Sequence, residues 1–179
     1  MDTQLLGACT VAVREHIPHW RTIFSGFRRV QELVKVKEDE FYPLDLYLDT
    51  VQFVENTFRD NIVMYQFGRD VGKSVIEASL AKLRLNSVGD AIRAIQSAHE
   101  FFCRPVKGAF EVIEEGAGYA KVKYTAPYHC VLQEGLFHEI AIAYGGADVA
   151  VEQRKCVRRG DQVCLFVLNW SQRGPRIDA

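Results

Sequence analysis

Up to Pro105 the apolar residues of this chain recur mostly at helical spacing, and beyond it they alternate as strands do. From Val11 to Val36, Val13, Ile17, Trp20, Ile23, Phe27 and Val30 fall on one stripe, which predicts a long amphipathic helix kinked at Pro18. A second helix is expected from Pro43 and Asp45 through Leu46, Val51 and Val54, and a third over Asn61–Ala81. Ser87 reads as the N-cap of a fourth, which runs through Ile92 and Ile95 to about Phe102. AFEVIEEGAGYAKVKYTA then reads as a hairpin turning at Gly116 and Gly118. CVLQEGLFHEIAIAYGG returns to helical spacing and stops at Gly145 and Gly146. DVAVEQRKCV and VCLFVLNW form a second hairpin, whose last strand is apolar on both faces and so expected to be central or covered. The predicted fold is α+β: N-terminal helices packed on an antiparallel sheet of two hairpins with an intervening helix.

Composition narrows the function classes. The chain has 179 residues, 48% of them apolar, enough for one domain with a real core. Its 22 basic and 23 acidic side chains supply no bulk charge for nucleic acid or acidic lipid. No secretory signal and no membrane-length apolar run is present, so a cytoplasmic protein is expected. FGRDVGKSV superficially resembles a phosphate-binding loop. However, Gly68 and Gly72 enclose three residues where that motif has four, and the segment lies within a helical period with no strand before it. Close helix packing is the better account of its glycines.

Five cysteines remain to be explained: Cys9, Cys103, Cys130, Cys156 and Cys164. In a reducing compartment they read as thiols or metal ligands before disulfides. Cys156 and Cys164 face each other across the hairpin turn at Gly160 and Asp161, near enough for a disulfide or for one metal ion. Cys130 opens a helix, where the dipole and unpaired amides favour a thiolate. If these three converge, Glu152, Gln153 or His129 could supply a fourth donor. The alternative is three half-buried cysteines serving as small apolar residues.

The stretch from Cys130 to Trp170 resembles the 4-vinyl-reductase-type small-molecule-binding domain. That family's pattern of E-x-x-C, a Gly-Asp turn and C-x-F appears here as Gln153-Arg-Lys-Cys156, Gly160-Asp161 and Cys164-Leu-Phe166. The resemblance implies the fold shared by that family, by haem-based nitric-oxide sensor domains and by the tethering subunits of the TRAPP complex. It also implies a structural zinc on Cys130, Cys156 and Cys164. The family's glutamate is replaced by Gln153, with Glu152 one residue early, and a one-residue shift on a strand changes face unless a bulge intervenes.

The superfamily implies a ligand pocket between helices and sheet, for which His99, Phe101, Phe102, Phe110, Tyr124, Phe137 and Tyr144 are the candidates, although each aromatic also suits plain core packing. His99 stands where the haem-bearing histidine of the nitric-oxide sensors does. Their haem grip, Y-x-S-x-R, is replaced by Tyr124-Thr-Ala-Pro-Tyr128, so haem is disfavoured. No counterpart of a phenol-holding histidine and tryptophan is evident, and a more hydrophobic ligand is expected. No nucleophile with its base and no dinucleotide fingerprint is visible, so the expectation is a non-enzymatic binding or sensor domain. A tetrapyrrole accessory protein of the vinyl-reductase kind and a TRAPP-like scaffold are the alternatives. Residues 1–40 are expected as a helical extension that could form a homodimer, 41–170 as the ligand-binding domain and 171–179 as a flexible tail. A downstream signalling or scaffold protein is the expected partner.

Overall fold

The computed structural model describes residues 2–172. The tail expected from residue 171 lies outside them except for its first two residues, which extend the last strand. The chain runs β1 (Gln4–Leu6), α1 (Gly7–Glu15), α2 (Trp20–Ile23), α3 (Val30–Leu33), β2 (Phe41–Pro43), α4 (Leu44–Phe58), α5 (Asn61–Ala78) and α6 (Val88–Phe102). It continues with β3 (Cys103–Arg104), β4 (Phe110–Gly116), β5 (Tyr119–Tyr124), α7 (Cys130–Ala143), β6 (Gly146–Lys155) and β7 (Cys164–Gln172). Two sheets form, both antiparallel: β2-β1-β3, and the larger β4-β5-β7-β6. The α+β architecture is the one its periodicity predicts, with both hairpins and the helix between them in place.

Local chemistry sets the helix starts. The Ser87 hydroxyl accepts from the Asp90 amide at 3.1 Å, and the Asp60 carboxylate accepts from the Ile62 amide at 2.7 Å. β7 is central, between β5 and β6, and Cys164, Phe166 and Leu168 on its inner face are buried.

The N-terminal region departs from the expected long helix. α1 stops at Glu15, and two one-turn helices follow. Pro18 removes a helix donor and His19 takes a left-handed φ of 54°, which breaks the helix rather than kinking it. The buried Arg14 guanidinium then donates to the carbonyls of Leu33 at 2.9 Å and Val36 at 3.2 Å, folding the segment back on α1. Ile17, Phe24, Phe27 and Leu33 are core residues, so the apolar stripe is satisfied within the domain. β1, β2 and β3 were not anticipated: two or three residues are too few to show a period of two.

α5 and α7 pack at backbone distance. A Cβ on Gly68 would lie 1.9 Å from the Leu132 carbonyl oxygen, and one on Gly135 would lie 2.0 Å from that of Tyr65. Gly72 meets the Glu139 side chain in the same seam. The glycines of FGRDVGKSV thus seat α7, and α7 carries residues of both candidate sites.

Candidate functional site: a three-thiol centre and an apolar cavity

The first site is built where α7 meets the β6–β7 connection. Cys130 is the first residue of α7, Cys164 opens β7, and Cys156 follows the end of β6. Their sulfurs converge: Cys130 Sγ lies 3.3 Å from Cys164 Sγ and 3.5 Å from Cys156 Sγ, and all three fall within 4.8 Å of one another. The connection is a knuckle. The Asp161 carboxylate accepts from the Cys156 amide at 2.7 Å, Gly160 closes the turn at φ 96°, and the Val157 amide donates to Cys164 Sγ at 3.4 Å.

These thiols differ electrostatically. Burial raises the pKa of Cys130, against a lowering contact from the Gln153 side chain and with the neighbouring thiols adding to the rise. Burial acts upward on Cys156 too. There the Cys130 contact, the backbone amides of Arg158 and Arg159 and the Arg159 charge outweigh it, and its pKa falls below an ordinary thiol's. The arrangement therefore tolerates negative charge on sulfur at one corner and offers three soft donors to one cation.

Strand alternation assigns the possible fourth donor. Along β6, Val149, Val151 and Gln153 face inward, while Glu152 is exposed and pairs with Arg154 at 2.7 Å. The Gln153 carboxamide approaches Cys130, its Nε2 buried and without a well-formed hydrogen bond. The bulge in this strand comes after Gln153, between it and Lys155, so it does not turn Glu152 inward. His129 points elsewhere: its Nε2 meets Glu55 Oε1 at 3.0 Å, and Arg158 meets Glu55 Oε2 at 2.9 Å, tying the knuckle to α4. Burial alone would raise the Glu55 pKa, but Arg158 and His129 pull it down to about 2. Among the described residues, no His, Asp or Glu joins the three sulfurs.

The second site is a cavity of about 50 Å³ enclosed by β1, α1, α4, α5, α6, β4 and α7. His99, Phe102 and Phe110 line it, as the sequence suggested. His99 is 6% exposed; its Nε2 meets the Tyr128 hydroxyl at 3.1 Å, and its Nδ1 is buried without a partner. Tyr128 in turn lies against the Cys103 thiol, which donates to the Pro105 carbonyl at 3.7 Å. Burial holds the His99 pKa below its ordinary value, against a small opposing pull from Glu100, so the ring stays neutral.

The other proposed pocket residues fall elsewhere. Tyr124 and Phe137 are fully buried behind Phe110, with ring centroids 4.9 and 6.0 Å from it. Phe101 is 38% exposed on the far side of α6, and Tyr144 stands with Trp170 in a separate surface groove. Cys9, Tyr47, Tyr128 and Gln133 line the cavity without having been anticipated. Of these only Gln133 carried a signal, as a polar residue on an apolar helix face; it is 2% exposed and its Oε1 is unpaired.

No protein-family model matches the chain, and no curated protein does. Solved structures share its fold. An H-NOX protein from Shewanella oneidensis in the Fe(II) ligation state aligns with a TM-score of 0.74 at 12% identity, over 96% of this chain and 98% of that one. That structure carries three substitutions; an H-NOX protein from S. oneidensis in the Fe(II)NO ligation state aligns at 0.72 and 12%, over 94% and 100%. Unliganded Fe(II) H-NOX from K. algicida, in a substituted form, aligns at 0.69 and 13%, over 94% and 98%.

These neighbours correct one expectation. Haem was disfavoured because the Y-x-S-x-R grip is missing, yet the matching structures are haem domains in Fe(II) and Fe(II)NO states. A five-residue grip is one means of holding propionates. In this chain an apolar cavity lies between helices and sheet, with the buried His99 ring on its wall. The unpaired Nδ1 of His99 is a suitable axial donor. The volume is the other half of the fit: about 50 Å³ admits a haem only if the shell around α1 and α6 opens.

Proposed function

We propose that this protein is a non-enzymatic sensor domain that holds a hydrophobic small molecule in the His99 cavity and staples its β6–β7 hairpin with a zinc ion on Cys130, Cys156 and Cys164. The observation that carries the ligand reading is the buried His99, its free Nδ1 beside an apolar cavity in a fold whose solved relatives are H-NOX proteins. The convergence of three buried sulfurs with a backbone amide donating to one of them supports the zinc. Cys9 and His99 both line the cavity, but His99 Nε2 is engaged by Tyr128 and burial pushes the Cys9 thiol up to about 12, which favours binding over nucleophilic chemistry.

The fold neighbours favour a second reading of the ligand itself, in which it is haem. His99 would hold the iron through Nδ1, and Tyr128, hydrogen-bonded to Nε2, would orient the ring. Bound haem would supply an iron with a free axial position for a diatomic gas.

One titration tests both. Hemin is added to the full chain and to His99→Ala under reducing conditions, and absorbance is followed. A Soret band at one equivalent that His99→Ala loses supports haem. If the wild type binds no hemin but is stabilised by hydrophobic probes such as indole or a short fatty acid, and filling the cavity with Ala98→Phe abolishes that shift, the general pocket stands. No response to any of them would sink the ligand reading.

A further inference from the structure

The thiol centre has a property that three converging sulfurs do not require. A closed structural zinc site has four protein ligands, whereas a site with three keeps a position for an incoming group. Here the fourth side chain at the sulfurs is Gln153, a neutral carboxamide with its Nε2 buried and unsatisfied. Glu152, the nearest carboxylate in sequence, is on the other face of β6 and paired to Arg154. His129 and Glu55 are committed to each other, and Arg158 to Glu55. An amide oxygen is a weak donor beside thiolates, and the Gln153 Nε2, buried without a well-formed hydrogen bond, loses little when the side chain swings away. The environment also suits an added negative charge. Three thiolates and a divalent ion already sum to one negative charge and a fourth thiolate makes it two, which the Arg159 charge and the Arg158 and Arg159 backbone amides at the knuckle offset, with Arg159 also donating to the Gln153 carbonyl at 3.2 Å.

We propose that the Cys130–Cys156–Cys164 centre is an exchangeable metal site, in which Gln153 is a displaceable fourth ligand and a small exogenous thiol takes its place. The inference rests on the zinc reading above and makes the site responsive where that reading alone makes it a staple. With an ion bound, the step would be ligand exchange without redox: the Gln153 carboxamide, turned to offer its oxygen, would give up its place to an incoming thiol sulfur bound as thiolate, whose proton would go to solvent. The three cysteine sulfurs stay bound throughout.

Cobalt(II) reports the outcome directly, because its ligand-field and sulfur charge-transfer bands depend on the donor set. The full chain is loaded with one equivalent of Co(II) and titrated with 2-mercaptoethanol, alongside Gln153→Glu and Gln153→Ala. The wild-type spectrum should shift toward a four-sulfur pattern with a saturable dependence on thiol. Gln153→Glu should hold Co(II) about tenfold more tightly against a competing chelator and need about tenfold more thiol for the same shift. Gln153→Ala should keep the ion and respond at the same thiol concentration or lower. An unchanged wild-type spectrum, or equal thiol responses in wild type and Gln153→Glu, would overturn the exchangeable site while leaving a bound metal in place. Loss of Co(II) from Gln153→Ala would also overturn it, because Gln153 would then be a strong ligand. Failure of the wild type to bind Co(II) at all would remove the zinc reading and this inference together.

Discussion

Two groups of cysteines, equally buried, sit in one domain in different electrostatic settings. Cys130, Cys156 and Cys164 meet at a helix start and a hairpin knuckle, where backbone amides and two arginines face sulfur. Cys9 lines the apolar cavity with Leu5, Tyr47, Phe102 and Tyr128, Cys103 lies against Tyr128 beside it, and burial, aided by Cys103, pushes the Cys9 thiol up to about 12. Burial alone makes cysteine a small hydrophobe. Chain ends that present amides and cations to sulfur make it a ligand.

Both groups depend on α7, so the strongest way to break the contrast is to move that helix. Gly68→Ala places a methyl group 1.9 Å from the Leu132 carbonyl, and α5 or α7 must shift. We expect a loss of roughly 3 kcal/mol, seen as a lower urea midpoint, together with loss of metal and ligand binding. An unchanged midpoint would mean that the seam is not rigid.

The next test separates the groups. Cys164→Ser should abolish zinc binding and lower the melting temperature of metal-loaded protein by about 5–10 °C, corresponding to ~2.7 kcal/mol at a metal concentration 100-fold above Kd. Cys103→Ser should leave metal stoichiometry at one. Equal metal loss in both variants would erase the distinction.

Reactivity sharpens it further. In metal-free protein at pH 8, iodoacetamide should label Cys156 at least about tenfold faster than Cys9, because only the thiolate reacts and Cys9 is held near 12. Zinc should protect Cys156 and leave Cys9 unaffected. Peptide mapping by mass spectrometry reads both.

The smallest expected effect is a pH dependence of the cavity side. His99 has a folded pKa below its unfolded value of about 6.5, so the unfolded chain binds the proton more readily. Its contribution is fully present above that value and is lost as pH falls toward the folded pKa. Thermal midpoints should decline as pH falls below about 6.5, and His99→Phe should flatten that decline. Parallel curves for the two proteins would show that His99 does not titrate on unfolding.

Much of this was legible in the chain. Helix spacing, the Ser87 cap and both hairpins follow from patterns a few residues long, and the opposition of Cys156 and Cys164 follows from one turn; Cys130 joined them only through the family resemblance. The cavity was half legible: His99, Phe102 and Phe110 were anticipated, whereas Cys9 on α1, Tyr47 on α4, Tyr128 in the loop before α7 and Gln133 on α7 meet only through the fold. The N-terminal stripe misled because 3.6-residue spacing was read through Pro18. The residues were correctly assigned as apolar, but the backbone turns instead of continuing, and Arg14 holds the turn from a distance.

Periodicity and chain punctuation act over a few residues, so the sequence by itself determined helices α4 to α7, the two hairpins and their order, and that Cys156 and Cys164 oppose each other. The tertiary structure decided which face of β6 looks at the sulfurs, making Gln153 rather than Glu152 the neighbour of the thiols, because strand register is set by pairing with β7. It also decided how much room remains beside His99, because that volume is what is left after β1, α1 and five other elements have packed, and no one of them encodes it.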